Sequence, residues 1–422
     1  MVVYSDHITT NKFPTKNQLF FTSFTNQKSL LQLMKRILPV IVISQFFCTS
    51  LWFAGNAIMT DIARQLHLPP AYLAYLASAV QAGFIIGTLV FAIFSIADRF
   101  SSTKVFFVCA VTAGVINLLV GYNGINPPAL IFFRFMAGFF LAGIYPVGMK
   151  IAADHYEHGL GKSLGFLLGA LVIGTALPHF LKSAMETLPY RYVIFATSFF
   201  SVLGGSAMYL LVPDGPYRKP GQKLNFKGFT QSFSNNNFRA AAFGYFGHMW
   251  ELYTFWVFLP MILTAYKAHN PGVALNVPLL SFFIIVSGSV SCVFAGLISQ
   301  RVGAKKVATI ALSISCACCL ISPLLFFNSS LVAFIIFLFI WGMAIIADSP
   351  MFSTLVAQNA PSASKGTALT MVNCIGFSIT IVSIQLVNAL RNDGNVQYIY
   401  MLLAVGPILG LIALFRNKTA AV

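Results

Sequence analysis

Charge is what this sequence has least of. Only 9% of its 422 residues are Asp, Glu, Lys or Arg, and only 10 are acidic. With 58% hydrophobic residues and a mean hydropathy of +0.80, the chain lacks the polar surface that holds a soluble domain in water. A phosphate-binding G-x-x-x-x-G-K-[ST] loop is missing, which argues against direct ATP drive. Residues 1–30 are polar and lack a signal-peptide cleavage pattern, so they read as a loose tail. The seven cysteines all fall inside apolar runs and imply no disulfide framework. The CACC run at 316–319 has no His or carboxylate near it in its own segment, so it reads as small buried side chains rather than a metal site. No cofactor and no metal are expected.

What is present is a series of apolar stretches, each long enough to cross a bilayer, which takes about 20 residues. Six lie at 36–58, 71–96, 104–122, 129–153, 160–182 and 189–211. Six more lie at 238–265, 277–299, 305–327, 330–356, 367–389 and 397–416. The formal charge of +16 is spread over the connections in a way that fits a membrane and not nucleic acid. Counting Lys and Arg by alternate connections puts 19 on the side of the N-terminus and 5 on the other, with Arg134 and Lys150 inside spans. The positive-inside rule then places both termini in the cytoplasm of a cell whose inner membrane the chain crosses.

The stretch 212–239, rich in Pro, Gly, Asn and basic residues, divides the chain. The expected parts are a tail over 1–35, a bundle over 36–211, a linker over 212–237, a second bundle over 238–416 and a tail over 417–422. The halves echo one another. Asp98 and Gln300, Pro146 and Pro350, and Lys162 and Lys365 are matching landmarks 202 to 204 positions apart. Internal duplication with a site between the repeats is a recurring transporter design.

Those landmarks carry a resemblance. FSIADRFSSTK (94–104) and GLISQRVGAKK (296–306) resemble the loop signature G-x-L-A-D-R-x-G-R-K of the major facilitator superfamily. In the first copy Asp98 and Arg99 match, while Phe94 and Ser101 replace the glycines. In the second, Gly296, Arg301, Gly303 and Lys305 match, while Gln300 replaces the acid. R-F-M-A-G at 134–138 resembles that superfamily's R-x-x-x-G element. The strings YPVGMK (145–150), GALVIGTALPH (169–179) and GHMWELY (247–253) resemble a bacterial branch grouped with nitrate/nitrite and cyanate permeases. The resemblance implies an all-α membrane protein with twelve transmembrane helices in two pseudo-symmetric six-helix bundles, working by alternating access. It implies that spans one, four, seven and ten line a central cavity, and that Asp98, Arg99 and Arg301 latch one conformational state. The plainer reading of those three charges is interfacial anchoring.

An ionisable residue inside a span is costly unless it is paired or faces water, so each is a candidate. Glu251 lies about 13 residues into a helix beginning near Arg239, close to the midplane at roughly 1.5 Å per residue. Tyr245, His248 and Glu251 recur every three residues and share a helix face. Ionisation is penalised in a poorly hydrated cavity, which suits Glu251 to carry a proton with His248 as its partner and Asp348 in a cavity role. The alternative for Glu251 is a structural lock between helices. Arg134 either binds an anionic group of the substrate or holds a carbonyl or carboxylate of a neighbouring helix. Lys150 reads as a site residue or as an anchor that snorkels to the headgroups, and His179 sits near the outer end of span five. Gln45, Thr49, Trp52 and Asn56 form a polar stripe on span one, with Trp341 on span ten expected to face it. Gly165 and Gly169 have the small-xxx-small spacing of close helix packing.

The reading that follows is a monomeric, proton-coupled carrier of a small anionic or zwitterionic organic solute, with the bilayer and protons as its other partners. An exporter of drugs or siderophore-like compounds is the alternative, although span five lacks the G-P-x-x-G-G antiporter element. A sensor or membrane enzyme is the alternative of another class, resting on the run D-H-Y-E-H (154–158).

Overall fold

The computed structural model describes residues 36–69, 71–122, 124–156, 160–218, 224–326, 330–392 and 394–416. The tails over 1–35 and 417–422, and Glu157 and His158, lie outside the described residues. Among the described residues no strand occurs.

The first half holds α1 (Arg36–Thr49), α2 (Ala54–Ala57), α3 (Met59–Leu66), α4 (Tyr72–Ile93), α5 (Ile96–Arg99), α6 (Ser102–Val120), α7 (Pro127–Leu141), α8 (Tyr145–His155), α9 (Leu160–Ala184) and α10 (Arg191–Leu211). The linker contains the short helix α11 (Phe226–Ser232). The second half holds α12 (Asn236–His269), α13 (Val277–Val302), α14 (Ala304–Phe326), α15 (Leu331–Ala347), α16 (Ser349–Asn359), α17 (Lys365–Leu390) and α18 (Val405–Arg416). Ten segments among the described residues are long and apolar enough to cross a membrane; α7–α8 and α15–α16 each count as one. The α1–α3 run and the 34-residue α12 occupy the first and seventh places, which is consistent with twelve spans. Large apolar side chains such as Phe199, Leu210, Leu324 and Val332 stand exposed on the outside, where only lipid accommodates them.

Local sequence sets the helix ends. Asn126, Asn276 and Ser330 each accept a hydrogen bond from the backbone N–H three residues on, capping α7, α13 and α15. Pro146 and Pro350 stand in the first turns of α8 and α16, where a missing N–H costs nothing, and they mark the breaks in spans four and ten. The two halves also match in packing. A Cβ on Gly83 would lie 1.9 Å from the Phe135 carbonyl, and one on Gly138 1.9 Å from that of Val80, so α4 and α7 touch backbone to backbone. In the second half Gly342 plays the same part, a Cβ there lying 2.8 Å from the Ile284 carbonyl, and Gly288 faces Ile346.

Between halves, α9 lies along α13 and α4 along α17. Gln385 Nε2 donates to Ser78 Oγ (2.7 Å) and to the Ala74 carbonyl (3.1 Å), and Asn276 Nδ2 donates to Ser183 Oγ (2.9 Å). These ties close the bundle at the end opposite the start of α1.

Gly165 and Gly169 differ from the packing role their spacing suggests. A Cβ at either position would meet nothing within 4 Å, because α9 turns these glycines toward open space. Gly169→Ala is therefore expected to stabilise the protein by about 0.5–1 kcal/mol, the helix-propensity gain alone. A melting temperature that falls would put a neighbour against α9 there.

Candidate functional site

Span one breaks over residues 50–53, where the chain leaves the helix inside the membrane-embedded part of the fold. Backbone carbonyls released there need donors, since lipid offers none. Arg134 on α7 supplies them. Its Nη2 donates to the carbonyls of Trp52 (2.6 Å) and Leu51 (3.0 Å), and its Nη1 to Asn117 Oδ1 (3.3 Å). Asn117 is held in turn, donating to Ser198 Oγ (2.9 Å) and Thr197 Oγ1 (3.1 Å) on α10. Arg134 is fully buried, and among the described residues no carboxylate pairs with it. Of the two roles open to it from sequence, the geometry displays the one toward a neighbouring helix's carbonyls.

A second buried cluster surrounds α12. Glu251 accepts hydrogen bonds from Trp341 Nε1 (2.6 Å), from Ser315 Oγ and from Cys319 Sγ (3.2 Å). Ser315 and Cys319 are four residues apart on α14 and so share a face. One turn earlier on α12, His248 Nδ1 lies 2.7 Å from Asp348 Oδ1, with both side chains 1% exposed. Asp348 sits at the junction of α15 and α16, just before Pro350. Neither ring nitrogen of His248 and neither oxygen of Asp348 makes a well-aligned hydrogen bond to another group. Tyr245, one turn below His248, lies 5.9 Å from it between ring centres.

The span-one stripe is dispersed by the break. Gln45 is fully buried, with its amide unpartnered and its Oε1 close against Gly148 of α8. Thr49 turns back onto its own helix, donating to the Gln45 carbonyl (2.9 Å). Trp52 packs between Phe84, Phe377 and Tyr253, and Asn56 Nδ2 is buried without a partner. Trp341, expected to face this stripe, instead packs on Phe255 and Phe337 and turns its indole N–H to Glu251. The reason is polar satisfaction: a buried carboxylate draws the nearest donors.

At the loop signature, Asp98 pairs with Lys150 of α8 (3.1 Å), and Lys150 also reaches Asp154 (3.2 Å). Arg218 of the linker donates to the Asp98 and Phe100 carbonyls (2.7 and 2.5 Å). Arg99 and Arg301 are exposed, and no ion pair joins them to the described residues. His155 Nδ1 donates to the Ile151 carbonyl (2.8 Å), and His179 is buried on α9. Asn117, Ser315 and Cys319 were missed from sequence. Their only signal is a polar residue set in an apolar span, which many packing residues share.

The sequence profile described as Major Facilitator Superfamily matches residues 41–384. The chain belongs to that superfamily. It is a multi-pass membrane transporter and not an enzyme. Among curated proteins none matches the sequence. Solved structures share its fold. The xylose transporter XylE from E. coli, in a partially occluded inward-open conformation, superposes with a TM-score of 0.72 at 12% identity, over 93% of this chain and 100% of that one. The nucleoside transporter NupG, in a mutant form, gives 0.70 at 15% identity, over 91% and 100%. A bacterial homologue of the human lysosomal transporter Spinster, inward-facing and unoccupied, gives 0.67 at 13%, over 91% and 95%.

Proposed function

We propose that this superfamily member is a proton-coupled carrier of a small organic solute, working by alternating access in the inner membrane with both termini in the cytoplasm. The observation that carries the reading is the burial of His248, Glu251 and Asp348 around one helix, α12, with His248 and Asp348 in direct contact. Membrane-embedded acids and histidines are expensive, and a proton relay is a common reason to keep them. Asp98 serves as part of the latch at the termini end, where its pair with Lys150 fixes the α4–α6 loop to α8 within the first half and Arg218 of the linker donates to its carbonyl. Arg99 and Arg301 assist there as interfacial charges. Membership of the branch resembling nitrate/nitrite and cyanate permeases is part of the proposal, and rests on the three strings quoted above. The expected preference for an anionic or zwitterionic solute drew on Arg134, whose Nη donors are taken by carbonyls and Asn117. The solute proposed is therefore not restricted to anions or zwitterions.

Reconstitution into liposomes tests it. A solute found by thermal shift should raise the melting temperature, since saturating ligand at a hundred times its Kd stabilises the folded state by about 2.7 kcal/mol. An imposed pH gradient should then drive that solute to accumulate, and a protonophore should abolish the accumulation. Accumulation indifferent to both would end the proton-coupled reading. Net movement outward instead of inward would favour the exporter.

A further inference from the structure

Where the two halves meet, three helices and the span-one break bring aromatic rings into one cluster. Trp52 from the span-one break lies 4.8 Å from Phe84 of α4, 5.7 Å from Phe377 of α17 and 5.8 Å from Tyr253 of α12, nearly parallel to the last at 24°. Trp256 lies one turn beyond Tyr253, at 5.4 Å. A ring cluster alone is ordinary core. What sets this one apart is its polar edge. Trp52 Nε1, Trp256 Nε1 and Asn56 Nδ2 are all buried, and none has a hydrogen-bond partner. A buried indole N–H normally finds an acceptor. All three are neutral donors. The Arg134 guanidinium commits both its Nη groups to the Leu51 and Trp52 carbonyls and to Asn117, while its buried Nε faces Gly55 without a partner.

We propose that this cluster is the solute-contacting surface, and that it takes an uncharged, flat ring compound bearing acceptor atoms on its edge. The proposal rests on the alternating-access reading above. Ring faces supply stacking, and the three unpaired donors supply edge recognition of carbonyl, ether or ring-nitrogen acceptors. Trp52 and Phe84 belong to the first half, and Tyr253, Trp256 and Phe377 to the second. The ring contacts therefore cross between the halves, and a ligand would enter between the rings as the halves move. A net anion would have to leave water for three neutral donors beside a guanidinium whose Nη groups are already committed, which is unfavourable.

The test is intrinsic fluorescence quenching of the purified full chain, whose four tryptophans include Trp52 and Trp256. The probes are a purine base and a pyrimidine nucleoside, set against a hexose, whose ring is not flat, benzoate, a zwitterionic amino acid and a quaternary ammonium ion. At least one uncharged ring probe is expected to bind. Trp52→Phe and Trp256→Phe keep an aromatic face and remove the N–H with part of the indole, and each should weaken that binding about tenfold while the protein stays folded with a modestly lower melting temperature. Binding of no uncharged ring probe, tighter binding of a comparator, or Phe variants that bind as the native protein does would each overturn the proposal. If a ring probe binds but no pH gradient moves it, the proton-coupled reading fails and the ligand class stands. If a gradient drives a carboxylate and no ring probe binds, the reverse holds.

Discussion

Glu251→Gln is expected to abolish proton-driven accumulation in liposomes while leaving the fold and the binding of solute close to native. The amide replaces the carboxylate with the same shape. Its oxygen still accepts from Trp341 Nε1, and its NH2 has the hydroxyl of Ser315 as an acceptor in place of the bond that Ser315 now donates. Only the capacity to exchange a proton is lost. Glu251→Leu behaves differently. It strands the Trp341 N–H and the Ser315 hydroxyl in a dry interior, at about 1–3 kcal/mol for each unsatisfied group, and lowers the melting temperature. The pair of variants separates chemistry from scaffolding. Should Glu251→Gln accumulate solute with native pH dependence, Glu251 is a lock between α12, α14 and α15 and the proton travels elsewhere, with His248 and Asp348 next to be tested.

The contrast between these residues shows what a sequence carries and what it does not. The spans were legible because a run of about 20 apolar residues has few other uses. Pro146 and Pro350 stood out as matching landmarks of the two halves, but the breaks beside them did not, because Pro178, Pro260 and Pro323 sit inside the continuous helices α9, α12 and α14. Helix rotation was not legible either. Gly165 and Gly169 have the same four-residue spacing that marks packed helices, yet α9 turns them toward open space. Period alone names a face without saying what lies opposite. The break in span one was equally hidden, since Ser50, Leu51, Trp52 and Phe53 include no proline or glycine to announce it. With span one taken as a continuous helix, Trp52 and Asn56 formed a stripe, and Trp341 had nothing better to face. Once Glu251 is known to be buried, the turn of Trp341 toward it follows, but the two are 90 positions apart and only tertiary structure joins them.

That break makes Arg134 the residue whose loss should cost most. Arg134→Met keeps the length and apolar stem of the side chain and removes its donors. The carbonyls of Leu51 and Trp52 and the Asn117 side-chain oxygen are then left without partners in a region that water does not reach. Hydrogen bonds to a charged group contribute about 1.5–3 kcal/mol each, and these three share one donor group, so the expected loss is about 3 kcal/mol or more, short of a simple sum. Arg134→Lys should recover part of it. One ammonium reaches a single carbonyl cleanly, whereas the planar guanidinium serves Leu51, Trp52 and Asn117 at once. Thermal unfolding in detergent reads the order directly: native highest, Lys intermediate, Met lowest. A different order decides against the structural role. If Arg134→Met melts as the native protein does while solute binding disappears, the guanidinium engages the solute, the span-one break is held by something else, and the case for an uncharged ligand falls with it.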